Sequence, residues 1–268
     1  MSESPSIDTL AVHAGTPDDS TGGAVTTPIH QTSTFLYPDG ERPLRYTRYG
    51  NNPSQVAAQR KLAALEGAEA AVVVASGMAA IATGILSVCA TGDHVVAAPD
   101  LYGGTRVLLD RELPRLGIAV DYAESLDPAA WEAATRAETK LWLWEAISNP
   151  LLRVADGPAL AKRGREAGVS TMVDATFASP VFQRPLEFGA DLVMHSATKY
   201  LGGHSDLIAG TLAGSEERIE LALERMRAYG GSADPFAVFL LERGMKTLSL
   251  RMARHDANGA AVAAYLAD

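Results

Sequence analysis

Lys199 stands in Asp191-Leu-Val-Met-His-Ser-Ala-Thr-Lys-Tyr-Leu-Gly-Gly-His-Ser-Asp206, where an apolar run ends in small hydroxylated residues, one lysine and two glycines. That spacing holds an amine at a strand end, with the hydroxyls of Ser196 and Thr198 beside it. An amine so held forms a Schiff base with an aldehyde cofactor, and pyridoxal phosphate (PLP) is the usual one. The rest of the chain offers what such a cofactor needs. A protonated pyridine ring is the better electron sink, so its nitrogen wants an acid, and Asp174 comes directly after the apolar run Ser170-Thr-Met-Val173. The phosphate wants free backbone N–H groups at a helix start, which Ser76-Gly77-Met78 supplies between a strand pattern and a helix pattern. The ring wants a flat partner, and Tyr102 precedes Gly103-Gly104. Taken singly, each residue has an ordinary explanation: a solvated lysine, a turn aspartate, a half-buried loop tyrosine.

The elements that must position these residues can be read from periodicity. Residues 1–52 are rich in Thr, Ser, Pro and Gly and read as an extended arm. A helix over Pro53–Glu66 opens on Asn52-Pro53 and closes on Gly67. Strands are then predicted at 70–75, 94–98, 118–122, 141–144, 170–173, 191–194 and 207–213. Helices are predicted between them at 77–90, 105–116, 128–137 and 156–167. Helical patterns at 216–229 and 235–266 close the chain. Short apolar strands alternating with helices imply an α/β fold with a mainly parallel sheet covered on both faces. Ligands bind such sheets beyond the carboxyl ends of the strands. Ser76-Gly77, Tyr102, Glu145, Asn149, Asp174 and Lys199 all fall there. A large domain over 53–234 is expected, with the start of a long helix after it at 235–268.

Bulk properties narrow the class. The 268 residues are 47% hydrophobic with a formal charge of −9, a balance that disfavours nucleic acid or an anionic membrane as partner. Cys89 is the only cysteine, in an apolar run where packing is the expected role, which suits a reducing compartment. The first residues lack a basic and apolar leader pattern, so a cytoplasmic location is expected. The six histidines show no ligand spacing, so no metal is expected. A Gly-x-Gly-x-x-Gly turn is missing, which disfavours a dinucleotide enzyme. Gly203-His-Ser-Asp-Leu207 fails the hydrolase elbow. Trp142 and Trp144 alternate on a strand and read as packing, and His195 and His204 as residues shaping the loops.

The run Val173-Asp-Ala-Thr-Phe-Ala-Ser-Pro180 with Gly189-Ala-Asp-Leu-Val-Met-His-Ser-Ala-Thr-Lys199 resembles the Cys/Met-metabolism family of PLP enzymes, and the likeness runs from Thr9-Leu-Ala-Val-His-Ala-Gly15 to the end. That family includes cystathionine γ-synthase, cystathionine γ-lyase and β-lyase, methionine γ-lyase and O-acetylhomoserine sulfhydrylase. The resemblance implies fold type I of the PLP-dependent transferases, with a seven-stranded sheet. It implies γ-elimination or γ-replacement on sulfur amino acids or O-acylhomoserine. It makes Lys199 the cofactor lysine, Asp174 the partner of the ring nitrogen, and Ser76, Gly77, Met78, Ser196 and Thr198 the phosphate site. Tyr102 stacks on the ring and moves protons. Asn149 stands near the phenolic oxygen, and Thr176 belongs to the same cofactor set. Tyr46 and Arg48, in Tyr46-Thr-Arg48, resemble the pair that reaches the phosphate of a neighbouring subunit. The implied assembly is a homodimer with shared sites, paired into a homotetramer.

The chain departs from the family pattern in places. Tyr46-Thr-Arg-Tyr-Gly-Asn-Asn-Pro53 is one residue longer than usual, and Ala175 replaces the asparagine that commonly comes after the ring aspartate. Gly104 stands where methionine γ-lyases carry cysteine, which argues against that activity. Family chains continue into a smaller C-terminal domain carrying the arginine for the substrate carboxylate, whereas Ala260–Asp268 ends in a helical pattern without a C-cap glycine. A truncated chain lacking that domain is therefore expected. The alternative is a PLP-binding subunit that is catalytically incomplete or depends on a partner.

Overall fold

The computed structural model of the protein describes residues 4–16, 24–36 and 44–267. Helix α1 (Ile7–His13) lies within the stretch read as an extended arm. Its start is capped by the Ser6 side chain, which accepts from the Thr9 N–H at 3.3 Å. Its far end is fixed by Lys61, a fully buried lysine whose Nζ donates to the carbonyls of Ala11 at 2.9 Å and Val12 at 3.0 Å. The Glu242 carboxylate stands 3.4 Å from the same nitrogen, so the buried cation is not left unpaired. Seven residues are too few to hold a helix alone, so this tertiary anchor explains why periodicity did not announce it. The remainder of the 1–43 stretch lies partly outside the described residues.

Helix α2 (Pro53–Glu66) begins and ends where its sequence signals stand. The Asn52 side chain accepts from the Ser54 N–H at 2.9 Å, the Gln55 side chain accepts from the Asn52 N–H at 3.1 Å, and Gly67 stops the helix at φ 66°. Next in the chain come β1 (Ala70–Val74), α3 (Gly77–Val88), β2 (His94–Ala97), α4 (Gly103–Val107) and β3 (Ala119–Tyr122). The alternation continues with α5 (Pro128–Ala134), β4 (Thr139–Glu145), α6 (Gly157–Glu166), β5 (Ser170–Asp174) and the short α7 (Ser179–Phe182). Strands β6 (Leu192–His195) and β7 (Gly210–Gly214) precede α8 (Glu216–Tyr229), α9 (Pro235–Met245) and α10 (Leu248–Ala267).

The helix expected over 105–116 is α4 continued by a π-helical stretch, Leu108–Glu112, and a 3-10 turn, Pro114–Leu116. The helix expected over 235–266 is broken into α9 and α10. Gly244 has weak helix propensity, and the Thr247 hydroxyl donates to the Gly244 carbonyl at 3.2 Å in place of a regular ladder bond.

The seven strands form one sheet in the order β1-β7-β6-β5-β4-β2-β3. Pairings β2–β3, β2–β4, β4–β5 and β5–β6 are parallel, while β7 is antiparallel to both its neighbours. Alternate residues of β5 show that both faces are covered. Met172 packs against Gly84 of α3, and Thr171, pointing the other way, packs against Gly164 of α6. Under the far end of the sheet, Trp131, Trp142 and Trp144 are fully buried, with the Trp131 ring 5.6 Å and 6.0 Å from the other two. Trp142 and Trp144 are core, as their spacing suggested, and Trp131 joins them. No described helix is long and apolar enough to cross a membrane.

Candidate active site

Parallel register decides which side chains meet. Glu145 at the end of β4 pairs with Asp174 at the end of β5, and Asp174 pairs with Met194 of β6. These strand ends open into a cavity of about 320 Å³. Ser76, Gly77 and Met78 line one side of it, and Ser196, Thr198 and Lys199 line another. Tyr102, Asn149, Asp174, Thr176, Glu145 and Thr105 add to the polar lining, with Ile81, Phe177 and Ile208 among the apolar surface. Eleven of the residues singled out from the sequence, Glu145 among them, thus converge on a single cavity. Tyr46 and Arg48 do not join them: the Arg48 guanidinium donates to the Arg227 carbonyl at 2.6 Å and lies over the Tyr49 ring, exposed and away from the cavity of its own chain.

The start of α3 is an anion site by construction. The Ala79 N–H is taken by the Ser76 hydroxyl oxygen at 3.0 Å and the Ala80 N–H by the Ser76 carbonyl. Among the described residues the N–H groups of Gly77 and Met78 have no partner, and both line the cavity. Gly77 can be nothing larger, since a Cβ would sit 2.7 Å from the Cβ of Ser196. The Ser76 hydroxyl keeps its own proton for a ligand. The Ser196 N–H is held by the Thr176 hydroxyl at 2.8 Å, and Thr198 is tied to the Ala209 backbone through its hydroxyl at 3.2 Å.

At the opposite end, Asp174 accepts the Thr176 N–H at 2.9 Å, and no cation pairs with it among the described residues. Burial holds its carboxyl above the usual carboxylate range, against the Thr176 hydrogen bonds and nearby His195. An acid so placed calls for a cationic group in the cavity. The Tyr102 ring stands over the mouth, 51% exposed. Lys199 is the only cation in the cavity lining among the described residues.

Glu145 is the residue whose part the sequence did not disclose. It is buried, and each of its oxygens takes one backbone N–H: Oε1 that of Tyr102 at 2.7 Å, Oε2 that of Asn149 at 2.8 Å. One carboxylate thus fixes the two loops that carry Tyr102 and Asn149. Burial, with the Asp174 carboxylate alongside, pushes Glu145 up to about 7. Below that pH it is protonated and one oxygen can no longer accept; above it both tethers hold. A cationic ring beside Asp174 would lower it, so binding such a ring releases a proton and tightens as pH rises. PLP affinity of the wild type should therefore gain about tenfold between about pH 6 and 8 relative to Glu145→Gln, whose amide does not titrate. Parallel affinity curves for the two proteins would remove Glu145 from this role.

A lysine in the turn after β6, a buried acid at the end of β5 and free amides at the start of α3, on a mainly parallel sheet, define a PLP-dependent enzyme of fold type I. The chain belongs to the Cys/Met metabolism PLP-dependent enzyme family, whose pattern it matches over residues 8–268. It is 43% identical to the "Probable cystathionine gamma-synthase" of Herpetosiphon aurantiacus, across 97% of this chain and 82% of that protein. It is 40% identical to the O-succinylhomoserine sulfhydrylase of Pseudomonas aeruginosa, across 98% of this chain and 68% of that one. Cystathionine gamma-lyase from Lactobacillus plantarum, crystallised with L-serine, superposes with a TM-score of 0.94 at 39% identity, covering 98% of this chain and 69% of that one. The residues present fit PLP. The unpartnered Gly77 and Met78 amides suit its phosphate, the unpaired Asp174 carboxylate its ring nitrogen, and the Lys199 amine its aldehyde.

Proposed function

We propose that the protein catalyses γ-elimination or γ-replacement on a sulfur amino acid or an O-acylhomoserine, with Lys199 as the cofactor lysine and the base. The observation that carries this reading is the meeting of Lys199, Asp174 and the free α3 amides at one sheet edge. PLP, when bound, withdraws electrons from the substrate Cα and so makes its proton removable. With the cofactor bound, Lys199 Nζ would accept the Cα proton, give that proton up, and only then, as a free amine again, take one from Cβ, after which the γ-substituent would leave with the electron pair of its bond to Cγ. Asp174 keeps the ring nitrogen protonated through its charge. The Gly77 and Met78 amides and the Ser76 and Ser196 hydroxyls hold the phosphate. The Tyr102 hydroxyl carries protons at the mouth of the cavity, and Asn149 orients the ring through its phenolic oxygen.

A phosphate dianion held by amides and hydroxyls alone is short of positive charge, and the described lining offers no arginine. Arg48 of a second copy, with Tyr46, supplies that charge, because the guanidinium fork matches phosphate oxygens. The working unit in this reading is a homodimer with shared sites. Gly104 supports the choice of substrates. A Cβ there would stand 2.5 Å from the Tyr102 ring and 3.0 Å from the Met78 sulfur, so this Tyr102 position leaves no space for the cysteine of methionine γ-lyases. Protein supplied with PLP should be yellow and turn over cystathionine, or O-acylhomoserine with cysteine, faster than methionine in parallel assays. A coloured protein that turns over none of the three would leave the binding assignment standing and defeat the catalytic one.

A further inference from the structure

The turn that carries Lys199 is locked from outside the cavity. Within the turn, the Lys199 N–H donates to the Ser196 carbonyl at 3.0 Å, and the Lys199 carbonyl accepts from the Gly203 N–H at 2.8 Å. The Tyr200 carbonyl, next in sequence to the lysine, accepts from Arg251 Nη1 of α10 at 2.6 Å. The same guanidinium donates through Nη2 to the Gly244 carbonyl at 2.8 Å and through Nε to the Thr247 hydroxyl at 3.0 Å. No carboxylate pairs with Arg251 among the described residues, and its side chain is half-buried. A cation drawn out of water onto neutral oxygens alone is costly, so its fixed geometry calls for a reason beyond surface charge. The C-terminal turn of α9, to which Gly244 belongs, favours a cation at this spot.

The two glycines after the lysine complete the lock. Gly203 has φ +75°, and a Cβ there would overlap the Arg251 guanidinium. A Cβ on Gly244 would overlap the Gly202 carbonyl oxygen, so the α9 end and the lysine turn meet backbone to backbone. One turn further along α10, the His255 ring packs edge-on against the Tyr200 ring at 5.1 Å. One helix thus grips both the backbone and the side chain of the residue next to Lys199.

We infer that Arg251 is a positioning residue for Lys199: through the Tyr200 carbonyl it sets where the lysine amine stands in the cavity. The inference rests on the assignment of Lys199 as the PLP lysine. A point charge cannot replace the planar three-way fork, so lysine at this position is not an equivalent.

The test compares PLP-loaded wild type with Arg251→Ala and Arg251→Lys, using far-ultraviolet circular dichroism to establish that each is folded. For Arg251→Ala the pH midpoint of the visible absorbance of the Lys199-linked cofactor should move by about half a unit or more. Its kcat should fall about a hundredfold, the scale of a misplaced reacting group. Ethylguanidinium added to Arg251→Ala should restore the midpoint and most of the rate, whereas ethylammonium should not. If the alanine variant does not fold, Arg251→Lys carries the test through the same midpoint and rate. A folded variant with an unchanged midpoint and kcat, or equal rescue by ethylammonium, overturns the inference. A colourless wild type would instead overturn the assignment of Lys199, so the two failures are separable.

Discussion

Lys199→Ala should lose the visible absorbance of the lysine-linked cofactor and at least about a thousandfold in kcat, since removal of a positioned base alone costs on the order of 10²–10⁴-fold. The loss falls on chemistry rather than folding. Lys199 is exposed in the cavity wall, and its side chain holds no ion pair among the described residues. The turn around it is kept by backbone bonds from Ser196 to Gly203, which alanine leaves in place. The variant should therefore melt within a few degrees of the wild type in the absence of cofactor. It should also still bind PLP noncovalently, through the α3 amides and Asp174. A Lys199→Ala protein that keeps wild-type turnover would show that another amine does the work.

Asp174→Asn separates charge from shape at the other end of the cavity. The introduced amide oxygen would still accept the Thr176 N–H that Asp174 now takes at 2.9 Å, so the loop stays as it is. What disappears is the negative charge facing the ring nitrogen. An ion pair at about 4 Å in an effective dielectric of about 20 is worth about 4 kcal/mol, near a thousandfold. A fall of that order in kcat, with the protein still folded and still carrying PLP on Lys199, is the expected result. A kcat within about twofold of wild type would mean that Asp174 does not hold the ring proton, since that charge term is about a thousandfold. Asp174→Asn also removes a carboxylate beside Glu145, so the titration of Glu145 should move down from about 7.

Legibility in the sequence depended on whether the signal was local. Helices Pro53–Glu66 and Glu216–Tyr229 lie where the sequence puts them because caps and closing glycines sit at their ends. The strand pattern, its parallel character and the convergence on one sheet edge came from apolar runs and turn residues. Lys199, Asp174 and the Ser76-Gly77-Met78 turn were legible for the same reason, each at the junction of a strand with the loop or helix after it. Helix α1 was not, because its stability comes from Lys61, about fifty residues away in the chain. Glu145 stood out only as a polar residue at a strand end. That it clasps the N–H groups of Tyr102 and Asn149 depends on a loop forty-three positions away folding back onto β4. Arg251 gave no signal at all, since the carbonyl it grips lies fifty-one positions earlier. The Gly202-Gly203 pair was visible, yet its meaning lies in the close approach of α9 and α10, which no local pattern records.

Reduction of the PLP-loaded protein with borohydride, with peptide mass spectrometry of the product, tests the central assignment most directly. The reduced cofactor is expected on Lys199, in the peptide containing His195-Ser-Ala-Thr-Lys199-Tyr-Leu. Cofactor fixed to a different lysine, or to none, would contradict it.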